Sequence, residues 1–161
     1  MVDDSQIVTH SDPAWRDRTN FIVRLDLAQH GLPGRWEQCW THTGDQHSYE
    51  MCCIPFFAYG ISLGDVLHID ADTGAHSVVR KSGHRTIRIA FLNNEAAHGH
   101  HDRIHDALVS SGVLVEFRGQ HYASIDIANE AQLAAVLAAL TPLLDARDLL
   151  WEWADPVLTE E

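Results

Sequence analysis

The chain has 161 residues, 45% hydrophobic and 21% charged, with 10 Gly and 5 Pro; this excludes a staple-dependent mini-protein and a low-complexity chain, and implies a core that buries roughly 70% of the extended-chain surface. Eleven basic against 23 acidic residues leave a net charge of −12, spread over both halves, which argues against nucleic acid, whose phosphates it would repel, and favours a cationic partner. No apolar run approaches the roughly 18 to 20 residues that span a bilayer, and the acidic start Met1-Val2-Asp3-Asp4 is unlike a signal peptide, so a cytoplasmic protein without a membrane partner is expected.

Residues 1–19 read as a loosely ordered arm in which Trp15 alone is a candidate to dock. From Asn20 to Leu27 apolar and polar residues alternate as a half-buried strand requires, with Phe21, Val23, Leu25 and Leu27 on one face. Arg35–His42 and His47–Ile54 predict a hairpin around Thr43-Gly44-Asp45-Gln46, with Trp36 and Trp40 on a shared face. Asp65–Ala71 and Ala75–Lys81 predict a second hairpin around Asp72-Thr73-Gly74. Residues 20–82 are therefore an antiparallel β lobe, expected to curl into a partial barrel.

Further on, Arg85–Leu92 alternates as a strand, and a helix over 100–111 ends at Gly112, a C′ position. Strands at 113–118 and 121–127 flank the turn Gly119-Gln120. Asn129 with Gln132 caps a helix striped by Leu133, Val136, Leu137, Leu140 and Leu144, in which Pro142 is expected to force a kink or restart. Leu149–Ala154 closes the order β-α-β-β-α-β. The expectation is an α+β chain with a ferredoxin-like lobe over 83–155 and a tail at 156–161. The helix-free sheet face must be covered by the first lobe or by a second copy, a homodimer. Trp151 and Trp153 share one face of the last strand, and a partner would bind there if no helix covers it.

Three cysteines, Cys39, Cys52 and Cys53, are too few for a disulfide framework. Adjacent Cys52 and Cys53 on a strand would point one inward and one outward, and a nucleophilic cysteine would need His42 or His47 as base. Twelve histidines mean that mild acidification cancels the net charge. Four lie between 98 and 105, where His101 and His105, one helical turn apart, with His98 as a third donor, form a candidate metal site; a solvated helix start is the alternative. Ser82-Gly83-His84-Arg85 sits at the lobe junction, where imidazole and guanidinium could serve a pocket lined by Tyr59, His68, His84 and Arg85. Asp65 either orients such a histidine or makes a turn. No glycine-rich phosphate loop, nucleophile elbow or zinc-helix motif occurs, and no cofactor is implied.

The run Ile54-Pro55-Phe56-Phe57-Ala58-Tyr59-Gly60-Ile61-Ser62-Leu63-Gly64-Asp65-Val66, followed by Ser82-Gly83-His84-Arg85-Thr86-Ile87-Arg88, resembles an uncharacterised bacterial family, domain of unknown function 4265, over roughly residues 20–154. The resemblance implies no activity and no catalytic residues. Phe56, Phe57 and Tyr59 are too costly to expose together, so the loop is a plug of the β lobe or a binding wall.

Two functions are expected. The first is an acidic, non-enzymatic module that binds a basic protein, as an immunity or antitoxin-type inhibitor would bind a toxin domain. The second is a small-molecule or metal-binding protein, or an enzyme, with an inter-lobe pocket around His84.

Overall fold

A computed structural model describes residues 4–92 and 94–155, the side chains of residues 4 and 94–98 excepted; the expected tail at 156–161 lies outside the described residues. The chain is α+β, with two sheets and two α-helices. Among the described residues no helix is long and apolar enough to cross a membrane.

The first sheet contains β1 (Ile7–Val8), β2 (Phe21–Asp26), β3 (Trp36–His42), β4 (Ser48–Met51), β5 (Val66–Ile69) and β6 (His76–Arg80). Its order is β1-β3-β4-β5-β6 with β2 also on β3, and it does not close into a barrel. All pairings are antiparallel except β1 on β3, which is parallel. The segment expected to be a loose arm thus contains a short strand, and Val8 and His10 are buried. On β3 the face turned inward carries Glu37, Cys39 and Thr41, while Trp36 and Trp40 lie half-buried on the other.

The second sheet runs β10-β7-β9-β8, formed by β7 (Arg85–Phe91), β8 (Val115–Arg118), β9 (Tyr122–Ile127) and β10 (Leu149–Trp153), all antiparallel. Helices α1 (Asn94–Ser110) and α2 (Glu130–Asp145) cover one face. Ile87, Ile89, Ala123 and Ile125 from the sheet pack there against Ile104 and Leu108 of α1 and Val136 and Leu140 of α2. α1 starts six residues before the expected position, so the histidine cluster lies within it. It ends in a Schellman motif: Gly112, at φ 72°, donates to Val109 and Val113 donates to Leu108, satisfying carbonyls the helix leaves free. Asn129 accepts from Gln132 N to cap α2, which continues past Pro142 without ending.

Candidate functional site

The loop between β4 and β5 decides how the two lobes meet. Ile54, Pro55, Phe56, Ala58, Ile61 and Leu63 are buried, and a buried loop must find partners for its backbone amides and carbonyls. Carboxylates take the amides: Glu37 accepts from Phe56, Phe57 and Ala58, and Glu116 of β8 accepts from Ile54. Side chains on the helix-free face of the second sheet take the carbonyls. Ser124 donates to Pro55 at 2.9 Å, Tyr122 to Phe56 at 2.6 Å, and the buried Arg88 guanidinium to Ala58. The apolar run is therefore a plug held between both lobes, and the junction holds no open crevice along it.

His10 joins the two carboxylates. Its Nε2 lies 2.9 Å from Glu37 Oε1 and its Nδ1 2.8 Å from Glu116 Oε1, so each ring nitrogen that carries a proton has a carboxylate to donate to. Burial pulls its pKa down, but interactions with Cys53, Glu116 and Glu37 outweigh this and hold it well above the usual histidine value. For Glu37, burial pulls upward and is overcome by His10 and the amides of Phe56 and Phe57, leaving the carboxyl lowered.

The second sheet projects beyond this seal. β10 pairs with β7 alone among the described strands and is an edge. Its Leu150 is 60% exposed and its Trp151 40%. They border an open depression of about 350 Å³ that Arg88, Ile89, Ala90, Tyr122 and Glu152 complete. Tyr59, at the tip of the plug, donates to Glu152 Oε1 at 2.9 Å, and its ring lies 4.7 Å from the Arg88 guanidinium, whose Nε has no hydrogen-bond partner among the described residues.

The residues expected to share a pocket are held apart by separate partners. Tyr59 engages Glu152 and Arg88, and His68 stands exposed on β5. His84 Nδ1 lies 2.9 Å from Asp126, with Trp15 edge-on to its ring, and Arg85 pairs with Asp155 at 2.8 Å and stacks 3.7 Å over Trp153. His84 is thus engaged by Asp126 and Trp15, and none of the other three residues expected beside it contacts its ring. Asp126, not Asp65, orients His84; Asp65 accepts from Ser62 and Ser82 in a turn and pairs with Lys81. His101 and His105 each approach the acidic residue next in sequence and lie against Phe117, and the side chain of His98 lies outside the described residues. Among the described residues, three metal-ligating groups converge only at His10, Cys39 and Cys53.

Trp151 and Trp153 do share a face, with rings 6.1 Å apart, but it is the face the helices cover, and Trp153 packs half-buried against that core. Cys52 and Cys53 are both buried, since the chain leaves β4 before them and the plug encloses both. The histidine beside Cys53 is His10, while His42 instead faces the Arg18 carbonyl. Sequence periodicity missed His10, Glu37, Glu116 and Arg88. Alternation sets Arg88 beside Thr86 and Glu116 beside Arg118 on the polar faces of their strands, so it gave no sign that either is buried; the one available signal was the carboxylate of Glu37 on the face of Cys39 and Thr41.

A family model described as Domain of unknown function (DUF4265) matches residues 37–153. No curated protein matches the chain. A crystal structure described as a hypothetical protein from Neisseria gonorrhoeae is similar, with 16% identity and a TM-score of 0.62 over 84% of this chain and 96% of the other; at that identity the likeness shows the fold alone.

Proposed function

The chain belongs to the DUF4265 family, and on that premise we propose that it is an acidic, non-enzymatic module that binds a basic protein at the free edge of β10. One observation carries the reading: a strand paired on one side only among the described residues displays Leu150 and Trp151 beside a largely apolar depression, in a chain of net charge −12. An edge strand offers alternate amides and carbonyls to an incoming strand, a large apolar side chain supplies anchoring area, and the negative field draws a cationic partner. An immunity-type inhibitor of a basic toxin domain is the most specific form of the proposal, and it expects a toxin-like reading frame beside this one. We further read the second lobe as ferredoxin-like, supported by its βαββαβ order and the sheet sequence β10-β7-β9-β8.

The experiment places a photo-crosslinking amino acid at Leu150 in cells, with a control at Val79, an exposed residue of β6. The expected adduct, identified by mass spectrometry, is a basic protein at Leu150 and absent from Val79. Binding of that purified protein should weaken with rising salt and be lost in Trp151→Ser, whose own stability should stay within about 0.5 kcal/mol of the parent. Crosslinking to a second copy of this chain, or to nothing, overturns the proposal.

A further inference from the structure

Cys39 on β3, Cys53 after β4 and His10 after β1 come from three separate segments, yet a ring nitrogen of His10 and the two sulfurs all lie within 4.8 Å of one another, with all three residues buried. We propose that His10, Cys39 and Cys53 form a structural zinc site that fastens the N-terminal segment to the first sheet.

The donor set suits the ion. Two thiolates and an imidazole are the soft and borderline ligands zinc takes in closed tetrahedral sites, where donors at about 2.0 to 2.3 Å from the metal sit roughly 3.3 to 3.8 Å from each other, an inward movement of about 1 Å from the separations here. A metal-bound histidine ordinarily uses its second nitrogen to donate to a carboxylate, and His10 has one at each nitrogen. Whichever nitrogen turns to zinc, the other keeps its carboxylate, and three protein donors leave the fourth position of the tetrahedron for a further oxygen ligand. Binding releases the proton of each thiol that still carries one and that of the ring nitrogen that turns to the metal, and zinc's two charges offset most of the positive charge so lost. Copper(I), with a single charge, would leave more uncompensated negative charge beside buried Glu37 and Glu116. Two thiols that served only as small apolar core groups would need no imidazole ring and no pair of carboxylates around them.

Full-length protein lacking any affinity histidines, stripped with a chelator, is incubated with zinc(II), gel-filtered and analysed for metal; a parallel sample is loaded with cobalt(II). The expected result is one retained equivalent and a thiolate-to-cobalt charge-transfer band. Both should be lost in Cys39→Ser and in Cys53→Ser, and kept in Cys52→Ser and in the His101→Gln/His105→Gln double variant. X-ray absorption on zinc-loaded parent protein needs no variant to fold, and two sulfur scatterers near about 2.3 Å are expected. No retained ion, retention undiminished in both cysteine variants, or a shell of nitrogen and oxygen alone overturns the site.

Discussion

His10 and Phe56 lie face to face, their ring centroids 4.3 Å apart and their planes 4° from parallel. Glu37 holds both, accepting from the His10 ring and from the Phe56 amide, so one buried carboxylate sets the stack and, through Phe57 and Ala58, the course of the plug.

Glu37→Gln should therefore cost more than its size suggests. The amide keeps one acceptor but turns an NH2 toward donors, and removing one member of a buried charged pair typically costs about 3 to 5 kcal/mol. Urea denaturation measures this. A loss below about 1 kcal/mol would mean that the carboxylate does not anchor the loop.

A second, half-buried chain of hydrogen bonds makes stability depend on pH. Tyr59 N–H donates to His30 Nδ1, the two Nε2 atoms of His30 and His76 are 2.9 Å apart, and His76 Nδ1 faces the Gly74 carbonyl at 3.2 Å. The chain is complete only with both rings neutral. Burial lowers both pKa values below 6.5; the charge of His76 and of Arg88 adds to this at His30, while Asp26 and Glu37 oppose it at both rings. A histidine whose folded pKa is depressed contributes stability that is complete above 6.5 and lost as pH falls through the folded value. The difference in melting temperature between parent and His76→Gln should shrink from neutral pH to about pH 5, and a constant difference across that range would refute the assignment.

Gly74 sits at φ 70°, and a Cβ there would meet Trp36 Cζ3 at 2.6 Å, whereas at Gly31, φ 84°, it would meet nothing within 4 Å. Gly31→Ala should thus cost about 1 to 2 kcal/mol from backbone conformation alone. Gly74→Ala adds a ring collision and should cost measurably more; equal losses in chemical denaturation would show that the Trp36 ring yields freely.

All three cysteines are buried, and burial, reinforced by Glu50 and Cys53, pushes the Cys52 thiol up to about 12. A disulfide reagent at neutral pH should leave the native protein unmodified and titrate three thiols once it is unfolded. Rapid reaction of any thiol in the native state would contradict the enclosed plug.

Local pattern was enough to read the paired strands. The inward Val23 and Leu25 of β2, the Ile87, Ile89 and Phe91 face of β7, the Gly74 turn and the Asn129 cap each depend on neighbours within a few residues and stand as expected, while Phe21, expected on the buried face, is exposed. The alternation of β3 was equally regular, and Trp36 and Trp40 do share a face, but the more buried face is the one that carries Glu37, because a loop crossing it needs an acceptor for its amides.

The sequence by itself determined the order of strands and helices after residue 20, the Gly112 and Asn129 caps, and the acidic balance, because these depend on period, turn chemistry and charge. Only the tertiary structure decided that His10, Glu37, Cys39, Cys53 and Glu116 meet, that the lobes close on the plug, and that β10 is left as a free edge. His10 and Glu116 are 106 positions apart, and no repeat of two or 3.6 residues carries information over such a span. The amides of buried Ile54, Phe56 and Ala58, which need acceptors and find them in Glu116 and Glu37, help fix that meeting, and that need arises only once the chain has folded over them.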